Sequence, residues 1–217
     1  MTALVPCHRD PPPSGLVEQV HRLVGDVLLV DDGSPDACAS ALAALARTHA
    51  LEVLRLPTNA GKGFALEAGI RRLLSREPPP RAVLVVDADG QHPPAAIPAF
   101  LAAAAEAELV IGDRFGDART MPWQRRLANR TASRLLSLSV RNKVRDSQCG
   151  MRLVRGRALH EVPFPGGRYE AETSHLKRCL RAGVSVAWVP IPALYDGASS
   201  SFRSVRDGGR VLAAAVF

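Results

Sequence analysis

The chain has 217 residues, 47% hydrophobic and 23% charged, a balance that suits one well-filled globular domain and excludes fibrous and disordered classes. Its 28 basic and 21 acidic residues leave a formal charge of +7, which favours anionic partners, yet the arginines are scattered and aromatics make up only 5%, so no nucleic-acid partner is expected. The longest apolar run, about Ala95 to Ala105, is interrupted by Pro98 and falls far short of the roughly 18 residues a membrane span needs.

Short apolar runs alternate with helical patterns along the whole chain, the signature of a mostly parallel sheet with crossover helices in a single domain, residues 1–217. A first strand, Ala3 to Val5, runs into Pro6-Cys7-His8-Arg9-Asp10, and a helix is expected over Leu16 to Val24. The second strand, Val27 to Val30, ends in Asp31-Asp32-Gly33-Ser34-Pro35-Asp36 before a helix over Ala37 to Thr48. Ser34 or Asp36 suffices to cap that helix, which leaves two carboxylates to explain. Asp32 is assigned a hydrogen bond to a base or ribose, and Asp31 the anchoring of the loop. The third strand, Glu52 to Leu56, leads to Asn59-Ala60-Gly61-Lys62-Gly63 and a helix over Phe64 to Ser75. Its glycines allow close backbone approach and Lys62 adds charge at a helix start, a combination suited to a diphosphate. The G-x-x-x-x-G-K-[ST] loop is absent, and an ordinary turn is the competing reading.

The fourth strand, Ala82 to Val86, stops at Asp87-Ala88-Asp89-Gly90-Gln91-His92. Carboxylates two residues apart on an extended chain point to one side. Left unpaired they repel and one pKa rises. Mg²⁺ or Mn²⁺ removes the conflict, taking one or two carboxylates and filling its shell with water and phosphate oxygens. The metal ligands expected are Asp87, Asp89 and Gln91, while His92 braces the loop. A plain turn at Asp89-Gly90 with Asp87 as a helix cap is outweighed by the position after a buried strand. Further on come a helix over Pro94 to Ala105, a strand over Leu109 to Ile111 ending in Gly112-Asp113-Arg114, a helix over Trp123 to Ser139, a strand over Met151 to Val154, a helix over Glu170 to Ala182 and a strand over Val184 to Val189. Ligands of open α/β sheets bind beyond the carboxyl ends of the strands, so the acidic strand ends and Arg114 are expected on one rim. Cys7, Cys38, Cys149 and Cys179 show no C-x-x-C spacing, and the first residues show no apolar stretch of signal-peptide length; free thiols and a cytoplasmic location are expected.

In order, VDDGS, NAGKG, VDADGQH, GDRF, RDSQCGMR, RYEAE and YDGASSSFR resemble the family 2 glycosyltransferases, especially the dolichol-phosphate mannosyltransferase and polyprenyl-phosphate glycosyltransferase branch. The resemblance covers nearly the whole chain. It implies a glycosyltransferase-A fold, a single Rossmann-like α/β domain with a mostly parallel sheet flanked by helices. It also implies inverting transfer from a nucleotide-diphosphate sugar, with Mg²⁺ or Mn²⁺ on Asp87, Asp89 and Gln91. The acceptor it points to is a lipid phosphate at a membrane surface, reached peripherally at the inner face and with a separate membrane partner. Pro6 matches the family's base-cradling first loop, whereas Cys7-His8 stand where Tyr-Asn is customary, which leaves the base open. Asp32, Lys62, Asp87 and Arg203 are assigned to the donor, Arg203 from a loop that folds over its phosphates. Arg114, with Arg125 or Arg126 beside it, is assigned to the acceptor phosphate; an Arg114 pair with Asp113 or Asp117 is the competing reading.

Asp146 and Gln148-Cys149-Gly150 resemble the family's D-x-x-S-G-[FM]-R element beside the acceptor, with the Cys149 thiol read as packing. Glu170 and Glu172 open a helix, where the dipole alone accounts for carboxylates. A lipid phosphate is already ionised, whereas a sugar hydroxyl needs a base, for which Asp146 is the candidate; Asp89, Arg114 and Asp146 form the expected catalytic set. Transfer to a sugar hydroxyl, or a non-catalytic nucleotide-sugar-binding protein on the same scaffold, are the alternatives. A dinucleotide-dependent dehydrogenase is excluded because no G-x-G-x-x-G follows the first strand, and a nucleotidylyltransferase because no Gly-rich, Arg-containing loop stands there. The basic C-terminal stretch, Arg203, Arg206 and Arg210 beside residues 211–217, reads as a terminal helix packed on the core ahead of one lying on an anionic surface.

Overall fold

The computed structural model describes residues 1–117, 120–194, 209, 211 and 213–216. Its strands are β1 (Thr2–Cys7), β2 (Val27–Asp31), β3 (Glu52–Arg55), β4 (Ala82–Val85), β5 (Leu109–Asp117), β6 (Arg152–Arg155) and β7 (Val186–Pro192). Helices α1 (Ser14–Val24), α2 (Asp36–His49), α3 (Lys62–Leu74), α4 (Ile97–Ala103), α5 (Trp123–Val140), α6 (Gly156–His160) and α7 (Glu170–Arg181) cross between them. The seven strands form one sheet in the order β3-β2-β1-β4-β6-β5-β7.

Only β6 runs against its neighbours, pairing antiparallel with β4 and β5, while β1 to β4, β5 and β7 make parallel pairs. A reversed strand enters the sheet where the others leave it. Arg152, the first residue of β6, therefore stands opposite Val85 and Ile111, at the carboxyl ends of β4 and of the apolar part of β5. The loop leading into β6 arrives on the rim that carries Asp87 and Arg114.

Helices on both faces explain why the strands read as unbroken apolar runs. Val27, Leu28, Leu29 and Val30 have 0% exposure, and α1 and α3 bury single stripes, Leu16, Val17 and Val20 from one and Leu66, Ile70 and Leu73 from the other. Gly69 lets α3 settle on the sheet: a Cβ there would lie 2.5 Å from Leu4 Cδ1. The helix expected from Pro94 opens as a 3₁₀ turn, Pro94–Ala96, and α4 ends at Ala103. Pro98 has no N–H for the Pro94 carbonyl, which instead accepts from Ile97 in a 3₁₀ bond. β7 reaches Pro192 rather than stopping before Pro190, because as the last strand of the sheet it has a side where no ladder needs an N–H. Residues 209, 211 and 213–216 are helical with Val211 and Ala215 buried, so this terminal segment packs on the core; Arg203, Arg206 and Arg210 lie outside the described residues. All four cysteines are buried and free. Among the described residues no helix is long and apolar enough to cross a membrane.

Candidate active site

The run of β-formers that starts in β4 ends with buried Val86 just past the strand, and Asp87 emerges at the rim. The Asp87 backbone N–H donates to His92 Nδ1 at 3.0 Å, and His92 Nε2 lies 3.7 Å from Asp87 Oδ2. His92 is the brace expected. Desolvation, outweighing the attraction of Asp87, lowers its pKa, and acceptance of the Asp87 N–H at Nδ1 puts the proton of the neutral tautomer on Nε2. Lys62, the first residue of α3, brings Nζ to 2.6 Å from Asp87 Oδ1 and 3.0 Å from Glu172 Oε1. Burial alone would raise the Asp87 carboxyl; Lys62 and then His92 overcome it and hold the group at about 2. Burial likewise opposes the Lys62 charge, and the two carboxylates reverse that and raise its pKa above the ordinary value. Gly150 packs directly over this pair: a Cβ there would stand 2.3 Å from Asp87 Oδ2 and 2.8 Å from Lys62 Nζ.

Asp89 has different surroundings. It is exposed, and its Oδ1 accepts the Gln91 N–H at 3.0 Å. Asp87 thus sits half-buried in an ion pair while Asp89 opens to solvent. Among the described residues no three His, Cys, Asp or Glu side chains form a group able to hold a metal ion.

Arg114 leaves β5 and donates Nε to Asp146 Oδ2 at 2.7 Å and Nη2 to Asp146 Oδ1 at 3.0 Å. The expected alternative partner, Asp113, instead accepts the Phe115 N–H at 3.0 Å and faces Arg145 at 3.6 Å. Asp146 has 0% exposure and accepts the Gln148 N–H at 3.1 Å as well. Both of its oxygens accept hydrogen bonds, and the pair with Arg114 holds that guanidinium in place. Cys149 is packing: burial pushes its thiol up to about 12.

Two residues matter more than the sequence indicated. Glu172 is 4% exposed, and its carboxylate meets Lys62 on one side and lies 4.0 Å from Arg152 Nη2 on the other, well beyond a helix-dipole role. Arg152 is fully buried, donating Nη1 to the Glu172 carbonyl at 3.0 Å and Nη2 to the Cys149 carbonyl at 2.7 Å. Its signal was an arginine inside the otherwise apolar run Met151-Arg152-Leu153-Val154.

Asp32 is 3% exposed; its Oδ1 accepts the Ala60 N–H at 2.8 Å, and its Oδ2 accepts Gly61 N–H at 2.9 Å and Asn59 Nδ2 at 3.2 Å. Its oxygens accept from the 59–61 loop and so fix the approach to Lys62. Asp31 anchors its own loop as expected, accepting the Ser34 N–H at 2.9 Å. Neither Ser34 nor Asp36 caps α2: that helix has no side-chain cap, and the Ser34 hydroxyl accepts the Arg9 N–H at 3.2 Å. Pro6 lies half-buried near the end of β1, opposite Val30. On α5, Arg126 keeps a buried Nε without a hydrogen-bond partner among the described residues. Arg203 and the 195–204 loop lie outside them.

Similarity to other proteins runs over the same elements. The family model described as Glycosyl transferase family 2 matches residues 3–162. A polyprenol monophosphomannose synthase of Mycolicibacterium smegmatis is 34% identical over 189 residues, 81% of this chain and 70% of its own. An undecaprenyl-phosphate mannosyltransferase of Micrococcus luteus is 32% identical over 174 residues, 76% and 70% of the two chains. Among solved structures, glucosyl-3-phosphoglycerate synthase from Mycobacterium tuberculosis, in complex with Mn²⁺, uridine diphosphate and phosphoglyceric acid, has a TM-score of 0.71 at 18% identity, covering 99% of this chain and 78% of that one. That likeness identifies the glycosyltransferase-A fold. With the family model spanning most of the chain from β1 through β6, the protein belongs to glycosyl transferase family 2.

Proposed function

We propose that the protein transfers a sugar, with inversion at the anomeric carbon, from a nucleotide-diphosphate sugar to a polyprenyl phosphate at a membrane surface. Relatives whose names carry polyprenol monophosphomannose and undecaprenyl-phosphate mannosyl transfer support the acceptor class. The observation that carries the reading is the two-pronged Arg114–Asp146 pair. A hydroxyl acceptor needs a base, and here the candidate base is buried and spent on a guanidinium. A phosphate acceptor arrives ionised and needs an oriented guanidinium instead, which Asp146 provides.

The donor end has cationic and metal-compatible groups. Asp89 is exposed beside Gln91, and the Asp87 carboxylate already has a cation, the Lys62 ammonium, at 2.6 Å. This donor set suits Mg²⁺ or Mn²⁺ held by one or two carboxylates with water and phosphate oxygens completing the shell, a mode that needs no cluster of three acidic groups. Asp87 and Asp89, with Gln91, would hold the ion, which when bound supplies charge against the departing diphosphate. Lys62 adds an ammonium at the start of α3, where backbone N–H groups favour anions. Asp32 keeps the preceding loop in shape, and Pro6 lies on the same rim. An acceptor phosphate oxygen, steadied by Arg114, forms its bond to the anomeric carbon from the side opposite the breaking bond to the diphosphate.

The test uses purified protein, Mg²⁺ or Mn²⁺, labelled nucleotide-diphosphate sugars with mannose donors first, and a short-chain polyprenyl phosphate. The expected result is organic-extractable label that requires both the divalent cation and the phosphate group. Label passing equally well to a polyprenol or to a soluble saccharide would defeat the reading.

A further inference from the structure

Helix α5 buries Ala132, Ser133 and Leu136, and among the described residues its opposite side is largely exposed, with the Arg130 guanidinium 5.3 Å from the Phe115 ring centroid. Trp123, Leu127, Arg130, Arg134 and Leu138 follow one another at spacings of three or four residues, which puts them on one stripe. Trp123, Leu127 and Leu138 are 69%, 59% and 76% exposed. The helix holds four arginines and no acidic residue, and exposed Arg141, Lys143 and Arg145 follow it.

We infer that this stripe is the face by which the protein docks on an anionic lipid bilayer, an inference that rests on the proposed lipid acceptor for its purpose and deepens it. A tryptophan at the end of an apolar and arginine-bearing helix face matches the chemistry of the headgroup region, with the indole and leucines entering and the guanidiniums on lipid phosphates. A second copy of the chain fits poorly, since an α5–α5 seam would set Arg130 and Arg134 against their own equivalents. The face is also continuous with the site. Ser133 Oγ accepts the Ser147 N–H at 3.0 Å and Ser137 Oγ accepts the Val144 N–H at 3.0 Å. These bonds fasten α5 to the segment carrying Asp146, and through it Arg114. A bilayer on the outer side of α5 would stand about one helix width, roughly 10 Å, from that segment.

The experiment uses the full chain with Trp188→Phe, which leaves Trp123 as its one tryptophan. Vesicles of phosphatidylcholine alone, or mixed with phosphatidylglycerol, are offered without sugar donor or prenyl phosphate. The expected result is salt-sensitive co-sedimentation with the anionic vesicles only, accompanied by a blue shift of Trp123 emission. Arg130→Gln with Arg134→Gln should weaken partition about 25-fold, on the basis of roughly fivefold for each arginine near an anionic surface. Leu127→Ser with Leu138→Ser should weaken it more than tenfold, while transfer to detergent-dispersed acceptor stays unchanged. No sedimentation, or sedimentation with Trp123 emission unmoved, overturns the inference. So does self-association of the chain that Leu138→Ser abolishes, which would identify a second copy as the cover. Because no substrate is present, vesicle binding stands or falls separately from the transfer assay.

Discussion

Replacing Gly150 by alanine tests whether the Asp87–Lys62 pair is as tightly roofed as its geometry indicates. The new methyl carbon would stand 2.3 Å from Asp87 Oδ2, and ordinary contact begins near 3.4 Å, so the carboxylate or the loop must retreat by about 1 Å. Asp87 has little freedom to do so, with Lys62 2.6 Å from Oδ1 and its own N–H held by His92. Overpacking of this kind costs about 1–3 kcal/mol, or roughly 4–8 °C in Tm for about 2 kcal/mol in a chain of this size. The effect on transfer should be larger, since a misplacement of about 1 Å at a catalytic centre costs on the order of 10²-fold. Thermal unfolding and initial rates at a temperature where both proteins are folded separate the two. Gly116→Ala is the control, because a Cβ there meets nothing within 4 Å among the described residues. Full activity in Gly150→Ala would refute the claim that Asp87 must stay where Lys62 and His92 put it.

Other substitutions probe neighbouring contacts. Lys62→Met strips the counter-charge from Asp87 and Glu172 and should cost about 3 kcal/mol at neutral pH, as removal of one partner of a buried pair does. With Lys62 present, the depressed Asp87 pKa contributes stability above the unfolded value of 3.8, lost as pH falls towards about 2. In the variant burial is opposed by His92 and Arg114 without Lys62, so that pKa lies higher than in the parent and the stability deficit should shrink as pH drops through this window; denaturant titrations from pH 7 to pH 2 would contradict the assignment if the deficit stayed constant. Arg114→Lys keeps the charge but loses the fork, and should slow transfer to polyprenyl phosphate by roughly 10–100-fold, the value of one charge-assisted hydrogen bond, with donor affinity unchanged by calorimetry. Asp32→Ala removes the acceptor of three donors in the 59–61 loop. It should cost about 2–3 kcal/mol and raise donor KM more than it lowers kcat; an unaltered KM would argue that the loop does not shape the donor site.

Local rules made most of the fold legible. Buried parallel strands announce themselves as apolar runs, and carboxylates placed just past them have no core reason to be there, which is why β1, β2, β4 and their acidic ends could be read in order. What could not be read locally are contacts between residues far apart in sequence. Asp32 looks like a ligand group because nothing local uses it, yet the 59–61 loop consumes its oxygens across 27 to 29 positions. Asp146 looks like a free base for the same reason, until Arg114 closes on it from 32 positions away. Glu172 was undervalued because a helix start explains any carboxylate cheaply, and the Lys62 contact spans 110 positions. α6 is five residues long, too short to show a helical period.

The direction of β6 ties these long-range contacts together. Had the strand entered parallel to β4 and β5, its first residue and the 146–151 loop would lie at the opposite edge of the sheet. Antiparallel entry places Arg152 level with Val85 and Ile111 and lays the preceding loop across the rim. Asp146 then reaches Arg114, Gly150 reaches Asp87 and Lys62, and Arg152 reaches Glu172. Register matters as much as direction, since a slip of one residue would turn Arg152 to the other face of the sheet and leave Glu172 with Lys62 as its one cation among these contacts. The buried arginine at the start of an apolar strand thus fixes how β6 is seated, and through that where Asp146, Gly150 and Arg152 stand relative to Arg114, Asp87 and Glu172.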